Sequence, residues 1–152
     1  MKKFKHKIVF LAVIIVALQF KACQEPKSNY EKIDPSHMES IENSDLSKLI
    51  LTEKAVERLS IMTAAVTEEL LAESSGEHNT KKVVPYASVI YDALGSVWVY
   101  TNPEPLVYIR NEIKVDFIEG DKAYLLEGPP FGTTVVTQGA AELYGTEYHV
   151  GH

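Results

Sequence analysis

KVVPYASVIYDALGSVWVYTNPEPLVYIRNEIKV, Lys82–Val115, is the stretch whose reading decides the fold. β-Branched and aromatic residues fill it, and Pro85, the DALGS run and the NPEP run punctuate it. That is the pattern of short strands joined by tight turns. Val83–Tyr91 reads as one strand. Pro85 has no amide to donate, so the strand belongs at a sheet edge or begins after the proline. Val97–Thr101 is apolar on both faces and is expected to be covered on both. NPEP breaks the chain, and Leu106–Arg110 opens the next strand. Ile113, Val115 and Phe117 then alternate with Glu112, Lys114 and Asp116, which gives one dry and one wet face.

On the C-terminal side, Glu119–Asp121 is a hairpin turn and Lys122–Gly128 its return strand. Gly128 and Gly132 bracket Pro129, Pro130 and Phe131. A strand follows at Thr133–Thr137, Gly139 stops it, and Ala140–Gly145 makes a helical turn. On the N-terminal side, Leu46–Leu51 reads as a strand. Thr52 caps a short helix whose Ala55, Val56 and Leu59 share one face. Ile61–Glu69 is extended again, and Ala72–Lys81 is a loop. The expected fold is mainly β: a small β-barrel or β-roll with one or two short helices over residues 46–145, then a tail, 146–152.

Lys2, Lys3, Lys5 and Lys7 precede an apolar run, Ile8–Phe20, interrupted only by Gln19. The run is shorter than the roughly 20 residues of a spanning helix, and it has the layout of a secretory signal over residues 1–22. The FKAC box places Cys23, the sole cysteine, directly after Ala22. It resembles the acylated cysteine of bacterial lipoproteins, which implies a lipid anchor at Cys23 and a periplasm-facing place in the bacterial cell envelope. A lone cysteine rules out an internal disulfide. Residues 23–45 are polar, carry two prolines and lack apolar periodicity, so they read as a flexible linker. Loss of the leader would remove five lysines and no acid. Ten basic residues would remain against 21 acidic ones, a net charge of −11. Such a chain repels phosphate backbones, so nucleic acid is not an expected partner.

The chain holds no nucleophile elbow, no H-E-x-x-H and no phosphate-binding glycine loop, and its carboxylates fall mostly at wet strand positions. No enzyme activity and no cofactor are expected. The TEYHVGH tail offers the best metal donors: His149 and His152, three residues apart, with Glu147 near. They support an alternative reading as an envelope lipoprotein carrying zinc, copper or silver. Tyr86, Tyr91, Trp98, Tyr100, Tyr108 and Phe117 are candidates for a pocket lining, although strand spacing makes them cross-strand packing first.

The order of the turn and packing residues resembles the membrane-proximal domain of the periplasmic adaptor subunits (membrane fusion proteins) of resistance-nodulation-division efflux pumps. The matching positions are Val84-Pro85, Ala87, Gly95, Val97–Tyr100, Arg110, Val115, Gly128, Gly132, Val135-Val136, Gly139 and Leu143. ILTEKAVERLSIMTAAV is similar to the segment by which those adaptors enter that domain, with Ser60 at the usual glycine. Only TEELLAESSGEHNTK lies where full adaptors insert their barrel, lipoyl-like and hairpin domains. The resemblance thus implies a reduced membrane-proximal unit. It implies docking on an inner-membrane efflux transporter or on an adaptor subunit, with the lipid anchor holding the chain at the membrane. The turns at Pro103, Pro105 and Leu106, and at Pro129, Pro130 and Phe131, are the expected contact surface.

Overall fold

A computed structural model of the chain describes residues 34–72 and 78–148. In chain order the first half comprises β1 (Ser36–Ser40), β2 (Ser47–Leu51), α1 (Glu53–Leu59), β3 (Met62–Ala65), β4 (Thr67–Ala72), β5 (His78–Pro85) and β6 (Ile90–Tyr91). The second half comprises β7 (Val97–Glu104), β8 (Val107–Glu112), β9 (Lys114–Glu119), β10 (Lys122–Glu127), β11 (Thr134–Gln138) and α2 (Ala140–Glu147). Two antiparallel sheets result. The larger runs β1-β2-β8-β7-β11-β3, with β6 paired to β7; the smaller runs β4-β5-β10-β9.

The larger sheet is a middle layer. On one side Leu49, Leu51, Tyr100, Tyr108 and Val136 pack with Ala55 of α1 and with Ala140 and Leu143 of α2. On the other, Val99 and Val135 pack with Val84, Ala123 and Leu125 of the smaller sheet, together with Val66 and Ile113. This is why Val97–Thr101 is apolar on both faces: Val99 faces one core and Tyr100 the other. Val135 and Val136 divide in the same way. The protein is mainly β with two short helices, as expected, but neither sheet closes into a barrel.

Several boundaries differ from the expectation, each for a physical reason. Residues 36–40 of the expected linker form β1, which pairs with β2 in unbroken register from Ser36 opposite Leu51 to Ser40 opposite Ser47. Its Met38 packs on the helix-side core. Ile61–Glu69 is two strands, because the chain crosses from one sheet to the other at Val66. Val66 is fully buried, its amide donates to the Thr133 carbonyl, and its own carbonyl accepts from Gly132. The expected loop 72–81 is shortened by β4 and β5, which pair out to Ala72 opposite His78. Pro85 ends β5, an interior strand. A 3-10 turn, Tyr86–Ser88, follows, and the Ser88 hydroxyl donates to the Pro85 carbonyl at 2.6 Å. β7 runs on into NPEP as far as Glu104 because a register shift against β8 between Thr101 and Glu104 accommodates Pro103. Phe117 leaves the dry face. The β9–β10 pairing shifts at Tyr124/Leu125, and Phe117 stacks on Tyr124 at 4.4 Å instead. Finally α2 extends past Gly145 to Glu147, into the expected tail.

Candidate docking surface

Val135 of β11 stands opposite Thr101 of β7 in an antiparallel pair. The end of β7 and the start of β11 therefore lie at one end of the larger sheet. The two turns singled out in the sequence emerge there together. The β7–β8 turn is pinned from inside. The Asn102 side-chain amide donates to the Glu104 and Val107 carbonyls at 2.7 and 2.8 Å, and the Leu106 carbonyl accepts from the Leu51 amide. Leu106 sits at φ +66°, a conformation that L-residues adopt at some cost. Pro103 and Pro105 are exposed, and Leu106 is half-buried.

The second turn is anchored by Lys82, whose ammonium donates to the Gly128 carbonyl at 2.6 Å. Gly128 is required by space: a Cβ there would stand 2.7 Å from Leu125 Cδ1. Pro129 is buried, which corrects its expected place in the contact surface, whereas Pro130 is exposed and Phe131 is 65% exposed. Between this turn and the β4–β5 pair lies a groove of about 510 Å³. Glu68, Thr80 and Lys82 belong to its strand side, and Leu126, Pro130 and Phe131 line it too. Leu126 has no cross-strand partner, since the β10–β9 register jumps from Leu125 to Glu127. That bulge leaves its side chain 55% exposed.

Sequence reasoning missed the polar centre that fixes α2 to the larger sheet, although Trp98, Tyr100, Arg110 and Glu147 were singled out there in other roles. Arg110 and Glu147 are buried with Nε and Oε1 3.4 Å apart. The guanidinium lies over the Trp98 ring at 4.0 Å, and the Tyr148 and Tyr144 rings flank it. Tyr100 donates its hydroxyl hydrogen to the other carboxylate oxygen of Glu147. Burial, and then the adjoining carboxylate, push the Tyr100 phenol far above its ordinary range, so it stays a donor. Arg110 Nε is shielded and donates no hydrogen bond. Trp98 is held from its other side by Asp92, whose carboxylate accepts the indole N–H at 2.9 Å. That bond, followed by the Ser96, Leu94 and Gly95 amides, holds the Asp92 carboxyl below its usual value.

This geometry removes two sequence candidates. Glu147 is committed to Arg110 and Tyr100, so it is not free to join the tail histidines. The six aromatics do not converge. Tyr100 and Tyr108 are core, Trp98 lies under Arg110, Phe117 stacks on Tyr124, and Tyr86 and Tyr91 are exposed. His149, His152, Cys23 and the expected leader lie outside the described residues. Among the described residues no three of His, Cys, Asp and Glu gather as a metal site, and no helix is long and apolar enough to cross a membrane. No family model, curated protein or solved structure matches the chain.

Proposed function

We propose that the chain is a non-catalytic docking lipoprotein, tethered through Cys23, that binds an inner-membrane efflux transporter or an adaptor subunit and helps to assemble it. The observation that carries the reading is the convergence of two internally braced turns at one end of the larger sheet. They present Pro103, Pro105, Pro130 and Phe131 outward. Prolines have little backbone freedom left to lose, and Phe131 supplies the large apolar side chain that an interface centre uses. The same site holds no paired acid and base and no nucleophile–base pair, so contact is the chemistry it supports. The family resemblance of the sequence supplies the partner class.

The test is photo-crosslinking in native membranes, with a benzophenone amino acid at Pro105 or at Phe131. Adducts to a transporter or adaptor polypeptide from these positions, with none from Glu142 on the exposed side of α2, support the reading. Equal labelling from all three positions, or none at all, overturns it.

A further inference from the structure

Apart from the two-residue β6, which flanks β7, the larger sheet ends at β1 and β3 and the smaller at β4 and β9, and three of these four edges carry a feature that discourages further pairing. β1 is short and mostly exposed. β3 spans four residues, and its pairing with β11 slips between Val136 and Gln138. β9 carries Lys114 at its start and faces two register shifts in β10. β4 has none of these devices. Its six residues pair with β5 without a shift, and Thr67–Ala72 contains no proline and no lysine. Among the described residues its outer side is unpaired beyond Val66.

Side chains at alternate positions of β4 share a face. Glu68 lines the groove and stands opposite Lys82, and Leu70, two residues on, shares its face opposite Thr80. Leu70 is 64% exposed, and Leu126 and Phe131 are exposed apolar side chains of the groove itself. Glu69, on the opposite face, is neutralised by Lys122. Glu68 has no ion pair among the described residues. The nearby cations are already engaged, Lys81 with Asp116 and Lys82 with the Gly128 carbonyl. An added strand therefore meets Glu68, a carboxylate outside any ion pair among the described residues, with the ammonium of Lys82 opposite it turned to the Gly128 carbonyl.

We propose that the outer edge of β4 receives an extended segment of the partner protein, alternating apolar and basic residues, as a fifth strand of the smaller sheet. Main-chain hydrogen bonds to β4 supply the affinity. An apolar side chain seated in the groove against Leu126 and Phe131, and a cation beside Glu68, supply the selectivity. The inference rests on the docking reading above and names which partner element engages which edge.

The test uses the full chain in detergent and three synthetic decapeptides: one alternating leucine and lysine, one with glutamate in place of lysine, and one with a central proline. The readout is amide hydrogen exchange resolved along the chain. The leucine–lysine peptide is expected to slow exchange at alternate amides of Thr67–Leu71 at least tenfold, and the other two are expected not to. Leu70→Lys, an exposed position that leaves both cores intact, is expected to abolish the protection, and Phe131→Ser to weaken it. Protection at β9 instead of β4, equal protection by the glutamate peptide, or no protection at all overturns the proposal. So does binding to phosphatidylcholine vesicles that both substitutions weaken while none of the three peptides protects β4, which would make the patch a lipid contact. Crosslinks from Pro105 in membranes, with no protection of β4, would leave the docking reading standing and remove this inference alone.

Discussion

Ser60 ends α1 in the left-handed region at φ +51°, with its amide donating to the Glu57 and Val56 carbonyls. Glycine adopts that conformation at no steric cost, so Ser60→Gly is expected to stabilise the protein by about 0.5–1 kcal/mol, read as a raised urea midpoint with an unchanged slope. Gly139 gives the opposite case. It sits at φ +87°, and a Cβ there would lie 2.4 Å from Ile61 Cδ1 and 3.2 Å from the Leu59 carbonyl. Gly139→Ala therefore combines backbone strain with a clash, and a loss of about 2 kcal/mol or more is expected in the same assay. The sequence foretold Gly139, which stands where a strand must stop, and Thr52, which stands where a helix must start, with its hydroxyl capping Ala55 at 3.2 Å. It could not foretell Arg110. Nothing local marks an arginine whose partner lies on the last helix, because the pairing is created by the packing of α2. Arg110→Met alone is expected to cost about 3–5 kcal/mol by stranding a buried carboxylate, and adding Glu147→Leu is expected to recover part of it.

Between elements, two carboxylates outside the buried pair link strands and respond to acid. Glu69 of β4 accepts from Lys122 and from Tyr124 of β10, and these bonds, Lys122 first, hold its carboxyl below the ordinary 4.5. Asp92, which closes the β6–β7 turn on Trp98, is held below the ordinary 3.8. A carboxyl with a depressed folded pKa stabilises the fold fully above its unfolded value and loses that contribution as pH falls through its folded value. The urea midpoint is thus expected to hold steady down to about pH 5 and to decline below pH 4.5. Glu69→Gln should remove part of that decline without altering the plateau slope. The strands that carry these groups were legible as strands, since alternation and turn residues are local signals. Their allocation to two sheets was not. The switch at Val66 is decided by Thr133 and Gly132, some seventy positions away, and no window along the chain contains both sides of that contact.

At the level of the whole molecule, the functional reading predicts a separation of effects. Phe131 is exposed and braced by backbone bonds of its neighbours, so Phe131→Ser is expected to lower crosslinking to the partner severalfold while changing stability by less than about 0.5 kcal/mol. The metal alternative predicts the reverse dependence. Calorimetric titration of the full chain in detergent with Zn²⁺, Cu²⁺ and Ag⁺ would show micromolar binding that His149→Ala/His152→Ala abolishes, with Phe131→Ser neutral. Silence in that titration, with crosslinking lost in Phe131→Ser, is the outcome expected here. The doubly covered β7 and β11 carry one more consequence. They are the common wall of both hydrophobic interiors, and β11 reaches its place only when Thr134–Gln138 is available to slide between β7 and β3. Neither interior can seal before then. The structure therefore closes late, through contacts of high sequence separation that fold on the slow, millisecond-to-second scale. A chain truncated just short of Thr134 is therefore expected to lack both cores at once, read as loss of its cooperative urea transition, where a cut confined to one layer would spare the other.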